Sequence, residues 1–159
     1  MSHAEEWVLL AYRLPREPST PRSAVWRKLK RLGVAQLSDG LVALPADSRT
    51  REQFDWIAED VTDHGGEAAV WIARPADISA EELIVGRMTG AIAAEYDAVA
   101  AEAVTMLASG AATRARGAAR LRRELHRIQA RDYFQTPSRD NARRAVEELA
   151  AASTAEARS

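Results

Sequence analysis

The chain has 159 residues, of which 47% are hydrophobic and 28% charged, and its formal net charge is −1 at pH 7. These values are typical of a globular protein and exclude a uniformly basic nucleic-acid binder, so a DNA-binding role would need a local basic patch. The lack of cysteine excludes disulfides, thiolate metal ligands and thiol redox chemistry. The sequence shows neither a run of 18 apolar residues nor a signal-peptide pattern, which predicts a cytoplasmic protein with no membrane contact.

The first predicted element is a buried strand. Residues 7–12, WVLLAY, are apolar without interruption, which indicates a central strand with cover on both faces. The segment that follows is predicted to be a loop because it contains three prolines, Pro15, Pro18 and Pro21. Thr20 is the predicted N-cap of a first helix, which ends near Leu32 in front of a glycine.

This first helix is predicted to have one apolar and one basic side. Five of the ten residues 22–31 are basic and none is acidic, whereas Val25 and Leu29 lie on the opposite, apolar stripe. The basic side is either a solvated helix face or a patch for phosphate or another oxyanion, because clustered guanidinium groups bind such anions bidentately. The candidate binding residues are Arg13, Arg16, Arg22, Arg27, Lys28, Lys30 and Arg31.

A tight hairpin is predicted next, with Asp39-Gly40 as its two-residue turn. Its strands would cover residues 34–38 and 41–44. A regular register predicts that four apolar side chains share one face of the hairpin, Ala35, Leu37, Val42 and Leu44.

A second helix and a fourth strand complete the first half of the chain. Thr50 is the predicted N-cap, with Gln53 closing a capping box, and the buried stripe comprises Phe54, Ile57, Ala58 and Val61. Residues 67–73 form the last strand. The order strand, helix, strand, strand, helix, strand predicts a ferredoxin-like βαββαβ antiparallel sheet, and therefore an α+β domain over residues 1–75.

Residues 76–159 are predicted to be a C-terminal extension of about three helices that packs on this domain. Ser79 and Glu82 would cap the first helix, with Ile78 stapled onto Leu83. Its apolar positions are Ile84, Met88, Ile92, Tyr96, Val99, Ala103 and Leu107. The extension, or a second copy of the chain, could cover the second face of the sheet.

The rest of the extension changes the sign of its charge. Residues 109–117 are predicted to break the helix, and a basic helix follows with Leu121, Leu125 and Ile128 buried. The arginine-rich helix at 114–131 is either a second nucleic-acid surface or the antiparallel partner of the acidic helix before it. Ser138 would cap a last helix that buries Ala142, Val146 and Leu149, with fraying from residue 153 onward.

The sequence contains no catalytic constellation, so we do not expect an enzyme and predict neither a cofactor nor a metal site. Asp60, Asp63 and His64 have a spacing that could hold a metal, but a solvated helix end is the more common outcome of such a spacing. Of the tryptophans, Trp56 is expected to face a partner. The others are expected in the core, Trp7, Trp26 and Trp71.

Several segments of the chain resemble one known family. They are WVLLAYRLPREPSTPRSAVWRKLKRLG, LSDGLVALP, TREQFDWIAED, GGEAAVWIA and RDYFQTPSRDNARRA. Over most of residues 5–150 the chain is similar to the N-terminal domain of ChrB, the chromate-resistance regulatory protein. The resemblance implies a bacterial cytoplasmic regulator that senses chromate and binds promoter DNA. Longer ChrB proteins carry a second, C-terminal domain, for which we expect no room in this chain.

Three functions follow as hypotheses. The first is a DNA-binding regulator that contacts promoter DNA through its basic helix as a homodimer. The second is a direct sensor of chromate or a similar oxyanion, bracketed by Arg13, Arg16, Arg22 and Arg27. The third is a non-enzymatic protein–protein adaptor that uses the helical half.

Overall fold

The computed structural model describes Ala4 and residues 6–159 of the chain. Within these residues the protein is a mixed α+β structure with a four-stranded antiparallel sheet and five helices. The chain divides into two compact units, Met1–Met88 and Thr89–Ser159.

The first unit contains the whole sheet. Its elements are β1 (Trp7–Arg13), α1 (Thr20–Leu32), β2 (Ala35–Ser38), β3 (Leu41–Pro45), α2 (Ser48–Asp63), β4 (Glu67–Ala73) and the start of α3 (Ile78–Met106). The strand order in the sheet is β2-β3-β1-β4. The apolar run of β1 therefore lies in the interior of the sheet, which confirms its predicted central position.

One face of the sheet is buried where β1 pairs with β3. Val8 pairs with Leu44 and Leu10 pairs with Val42 across β1 and β3, and all four side chains are 0% exposed. Helix α2 packs against β1 and β4, and α1 packs on α2. Five residues of the predicted helix stripes are buried, namely Val25, Leu29, Phe54, Ile57 and Val61, whereas Ala58, which was also predicted, is only partly buried. Burial of each such side chain stabilises the fold by about 1.5–3 kcal/mol.

The predicted hairpin is confirmed, with Ser38 opposite Leu41 beside its turn, but the predicted register beyond that pair is wrong. A β-bulge between Gln36 and Ser38 shifts the pairing, so that Gln36 instead of Leu37 lies opposite Val42. A shift of one residue moves a side chain to the other face of a strand. Leu37 is consequently 37% exposed and does not belong to the core, whereas Ala35 remains buried.

The first two helices begin earlier than predicted. Ser19 is the N-cap of α1, and Thr20 is its first residue. In α2 the N-cap is Asp47, whose carboxylate accepts a hydrogen bond from the Thr50 backbone N–H at 2.7 Å while the Thr50 hydroxyl accepts from the Asp47 N–H at 3.0 Å. Thr50 is thus the third residue of a reciprocal capping box, and the predicted partner Gln53 takes no part in it.

The start of α3 also differs from the prediction. Asp77, and not Ser79, caps the helix, because its carboxylate accepts from the Ala80 backbone N–H at 2.8 Å. Ile78 and Leu83 are 66% and 57% exposed, so the predicted staple between them is wrong.

The second unit consists of three helical segments. They are residues 89–106 of α3, then α4 (Ala111–Ala130) and α5 (Ser138–Ala157). Their common core is Ile92, Tyr96, Val99, Ala100, Ala103, Ala118, Leu121, Leu125, Ile128, Ala142, Val146 and Leu149. This core contains the predicted buried positions of α4 and α5.

The bounds and buried positions of α3, α4 and α5 differ from the prediction in several places. A break separates α3 from α4 as predicted, but it covers residues 107–110 and not 109–117, because α4 already begins at Ala111 and includes Gly117. Val85 is buried in α3 where Ile84 was expected, and Leu107 lies beyond the helix and is 38% exposed. Helix α5 has Pro137 as its N-cap and continues to Ala157 instead of fraying.

Complementary charge joins α3 and α4, which was one of the two alternatives left open by the sequence. The Arg131 guanidinium donates to both carboxylate oxygens of Glu95 at 2.7 Å, and Arg120 pairs with Glu102. Glu95 precedes Glu102 in α3, whereas its partner Arg131 follows Arg120, so the two helices run antiparallel.

Candidate functional site: an arginine-lined cavity

Three of the seven candidate residues meet at an open cavity of about 650 Å³ in the first unit. The end of β1, the loop after it, the first turns of α1 and the β2–β3 turn all contribute to its lining. We call this site the arginine cavity. Its lining residues are Tyr12, Arg13, Leu14, Arg16, Ser19, Arg22, Ser23, Trp26, Gln36, Asp39 and Gly40.

The hairpin turn is held against the end of β1. The Tyr12 backbone N–H donates to the Gly40 carbonyl at 2.8 Å. Gly40 has φ +72°, and a Cβ at this position would overlap the carbonyl oxygen of Tyr12. Only glycine adopts this conformation at low cost and permits so close an approach of two backbones. The turn thereby brings Asp39 beside the residues that leave β1.

The first turn of α1 borders the same cavity. Ser19 makes no side-chain capping hydrogen bond, and the first turn contains no acidic residue. The unbonded N–H groups at a helix start carry partial positive charge, which favours an anion nearby. The hydroxyls of Ser19 and Ser23 lie in the lining together with the Arg22 guanidinium.

The cavity carries an excess of positive charge. Arg13, Arg16 and Arg22 oppose a single carboxylate in the lining, that of Asp39, which leaves a formal charge of +2. Burial raises the pKa of the Tyr12 phenol, Arg22 lowers it, and Asp39 raises it again, with a net increase. The phenol is therefore protonated at neutral pH and can donate a hydrogen bond to an anion.

The other predicted basic residues lie elsewhere. Arg27, Lys28, Lys30 and Arg31 are exposed on α1 and do not line the arginine cavity. The Lys28 ammonium donates to the Asp60 carboxylate at 2.8 Å. The structure thus divides the seven candidates into three arginines at a cavity and four residues on an outward-facing helix surface.

Two of these four border a second, smaller cavity between α1 and α2. It measures about 340 Å³, with Lys28 and Arg31 on one side and Trp56 on the other. Trp56 is 61% exposed, which confirms that it points away from the core. Trp71 is 59% exposed, so its predicted burial is wrong, because β4 is an edge strand.

Sequence reasoning missed part of the arginine cavity. Tyr12 was assigned to the buried strand and Trp26 to the core, yet both are partly exposed and line the cavity. Gln36 and Asp39 come from the hairpin, whose bulge the sequence did not reveal. The usable signal was Tyr12-Arg13 at the end of a central strand, since the turn of a neighbouring hairpin lies beside that end.

The alternative metal site is not formed in the residues that the structure describes. The Asp60 carboxylate is engaged by Lys28, and the His64 Nδ1 lies 2.8 Å from the Asp60 backbone carbonyl. Among residues 4 and 6–159, no group of three or more His, Asp or Glu residues could hold a metal ion.

These features define a small α+β protein with a cationic surface cavity next to a basic helix. The family model described as "Protein ChrB, N-terminal" matches residues 22–109, which is more than half of the chain. The chain therefore belongs to the ChrB N-terminal family, and the resemblance seen in the sequence is confirmed. This membership relates the protein to chromate resistance.

The match begins at Arg22 and so includes most of α1, then the hairpin, α2, β4 and α3, whereas Arg13 and Arg16 precede it. Comparisons with curated proteins and with solved structures found no match. None of the helices in the described part of the chain is long and apolar enough to cross a membrane.

Proposed function

We propose that this protein binds chromate, or a tetrahedral oxyanion like it, in the arginine cavity, as part of a chromate-resistance response. One observation carries the proposal, namely the convergence of Arg13, Arg16 and Arg22 on one cavity. These arginines come from β1, the following loop and α1, so the fold, and not their spacing in sequence, brings them together.

The chemistry of the lining suits a tetrahedral dianion. Guanidinium groups bind oxyanions with paired, charge-assisted hydrogen bonds. The Tyr12 phenol and the hydroxyls of Ser19 and Ser23 supply neutral donors. Each charge-assisted hydrogen bond contributes about 1.5–3 kcal/mol, and the lower value applies here because Arg13, Arg16 and Arg22 are solvent-exposed.

The proposed role is binding without catalysis. The cavity presents cations and hydrogen-bond donors, which hold an anion without changing it. Reduction of chromate by the protein itself would need an electron donor, and the chain has no cysteine to act as one. The proposal therefore assigns recognition, not turnover, to this site.

The test is isothermal titration of the purified protein with chromate, sulfate and phosphate, using two matched variants. Arg22→Gln removes a cavity guanidinium, whereas Arg27→Gln removes an exposed guanidinium on the same helix outside the cavity. The loss of about 1.5 kcal/mol in Arg22→Gln corresponds to roughly tenfold weaker chromate binding. Arg27→Gln should bind chromate like the parent protein.

Two results would count against the proposal. One is the absence of saturable binding of any of the three anions by the parent protein. The other is equal weakening in both variants, which would indicate general electrostatic attraction by α1 and not a site.

We propose, as a second function, that the outward face of α1 contacts promoter DNA and that the protein regulates chromate-resistance genes. The supporting observation is the exposure of Arg27, Lys28, Lys30 and Arg31 on one helix. Lysine and arginine side chains that neutralise phosphates supply the sequence-independent part of DNA affinity. The same helix contributes Arg22 to the arginine cavity, so we propose that anion binding in the cavity changes the DNA affinity of the outward face.

Fluorescence anisotropy with a labelled promoter duplex tests this second proposal. The magnitude of the slope of log K against log salt should decrease by about 0.9 for each phosphate contact removed. An Arg27→Gln/Lys30→Gln double variant removes two contacts, so the magnitude of its slope should decrease by roughly twice that amount. Arg22→Gln should keep most of its DNA affinity but need a roughly tenfold higher chromate concentration for the same response. Binding that does not depend on salt would contradict the proposal.

We also propose that the first unit has the ferredoxin-like fold, with its characteristic connectivity as well as its α+β composition. The support is the order of its elements, βαββαβ, together with the placement of β1 between β3 and β4. A solved structure that superimposes on this unit with the same connectivity would test the assignment.

A further inference from the structure

Strand β4 is an unprotected edge of the sheet. It stands last in the order β2-β3-β1-β4, and within the described residues its ladder partner is β1 alone. All seven residues of β4 pair with β1 in an unbroken register, from Glu67 opposite Arg13 to Ala73 opposite Trp7. Its outer side thus offers a regular row of backbone donors and acceptors to another strand.

The side chains of β4 add apolar surface on both faces. Trp71 is 59% exposed and Ile72 is 45% exposed, and adjacent residues of a strand point to opposite faces. Glu67, at the first position, is the one ionisable residue of the strand, which contains no proline and no lysine. Natural edge strands normally carry such residues to prevent pairing with another chain.

The opposite edge of the same sheet is protected. Strand β2 has only four residues, and the β-bulge between Gln36 and Ser38 disrupts its ladder. Short strands and bulges are the usual means of blocking an edge. The two edges of the sheet therefore differ, since β2 has features that block pairing with another strand and β4 has none of them.

We infer that β4 is a dimer interface, at which β4 of a second copy of this chain pairs antiparallel with it to form a continuous eight-stranded sheet. The inferred register places Trp71 opposite Trp71 of the second copy, on the two-fold axis. This register pairs Val70 with Ile72 of the second copy on one face and Ala69 with Ala73 on the other.

A second copy fits the edge because the strand is complementary to itself in this register. The two Trp71 rings meet on one face, and aromatic cross-strand pairs are among the favourable ones. Glu67 lies outside the paired segment, so no two like charges face each other. The interface also identifies the surface for the homodimer expected from the sequence, and it does not depend on anion binding by the arginine cavity.

The first test is light scattering coupled to size-exclusion chromatography over a range of protein concentrations. The parent protein should be a dimer, and Trp71→Lys should raise the dimer dissociation constant at least tenfold. Trp56→Lys is the matched control, since it makes the same change at a tryptophan that is 61% exposed on α2. Circular dichroism establishes that both variants are folded.

The second test uses the absence of cysteine from the chain. Directly opposed residues of an antiparallel pair have Cα atoms about 4.5–5.5 Å apart, a separation that a disulfide can bridge. Trp71→Cys should therefore form a disulfide-linked dimer on mild oxidation, and Trp56→Cys should not. A monomeric parent protein, a dimer that survives Trp71→Lys, or equal cross-linking of both cysteine variants would overturn the inference.

Discussion

The turn at Gly40 is predicted to be among the least replaceable positions of the first unit. Gly40 has φ +72°, and a Cβ there would overlap the carbonyl oxygen of Tyr12. Because that oxygen belongs to the backbone of a central strand, it cannot move aside as the end of a flexible side chain can. Gly40→Ala should therefore strain the junction that forms one wall of the arginine cavity.

The cost has two parts. A left-handed conformation costs an alanine about 1–2 kcal/mol. Relief of the overlap moves the turn away from β1 and weakens the 2.8 Å hydrogen bond from the Tyr12 N–H to the Gly40 carbonyl, which adds about 1 kcal/mol. We expect Gly40→Ala to lower the free energy of unfolding by roughly 2–3 kcal/mol.

Urea denaturation followed by tryptophan fluorescence measures this loss selectively. The first unit, residues 1–88, contains every tryptophan of the chain, Trp7, Trp26, Trp56 and Trp71. The loss corresponds to a midpoint lowered by about 1 M urea or more. Gly86→Ala is the matched control, because Gly86 lies in α3 of the same unit and a Cβ there meets nothing within 4 Å.

The two substitutions should act in opposite directions. Alanine in place of an unobstructed helical glycine stabilises by about 1 kcal/mol, so Gly86→Ala should raise the midpoint. If Gly40→Ala proved neutral or stabilising, the account of the turn and of the adjoining cavity wall would be refuted.

Two further predictions concern the second unit. Hydrogen bonding to Arg131 lowers the pKa of Glu95 from 4.5 despite partial burial. Stability from this pair is therefore present above about pH 4.5 and is lost as the pH falls through the lower folded-state pKa. Glu95→Gln should cost at most about 1 kcal/mol at pH 7, since the pair is partly exposed, and the difference should shrink as the pH is lowered below 4.5 in urea titrations followed by circular dichroism. The Tyr96 hydroxyl donates to Asp132 at 3.0 Å from a fully buried ring, so Tyr96→Phe should cost about 1 kcal/mol, and an unchanged thermal midpoint would show that this bond contributes nothing.

The sequence predicted those elements whose local signals agree with their tertiary surroundings. Strand β4 was predicted at its observed bounds, and α1 was predicted to end at Leu32, where Gly33 adopts φ 75°. Apolar stripes identified the buried residues of α1, α2 and α4, because a helix can bury only one side against a core.

Local errors arose where several residues compete for one role. Ser19 and Thr20 are both suitable N-caps, and so are Asp47, Ser48 and Thr50. The choice between them depends on where the preceding chain leaves the sheet, which the sequence does not specify.

The remaining errors depend on tertiary contacts. The bulge at Leu37 lies on an edge strand, where a regular register is weakly enforced. Gly117 was interpreted as a helix breaker, but it lies inside α4 where the Met106 side chain occupies the space that a Cβ would need. Neither outcome can be read from the neighbouring sequence, because the first depends on the position of the strand in the sheet and the second on a contact with another helix.

The candidate site was predicted in part. The run of basic residues was visible in the sequence, and it predicted an anion-binding surface. The division of these residues between the cavity and the outer surface was not visible. Arg22 and Arg27 lie on the same helix and differ only in which side of α1 faces the loop after β1. Folding assigns Arg22 to the cavity and leaves Arg27 on the outer surface.

The central claim is that a tetrahedral oxyanion binds in the arginine cavity. The most direct measurement is a crystal structure of the protein grown with chromate, with chromium located by its anomalous scattering. We predict an anomalous peak that places the chromate oxygens within hydrogen-bonding reach of Arg13, Arg16 and Arg22, and a weaker peak in Arg22→Gln crystals grown at the same chromate concentration. A cavity without a peak at chromate concentrations that saturate binding in solution, or a peak only on the outer face of α1, would contradict the claim.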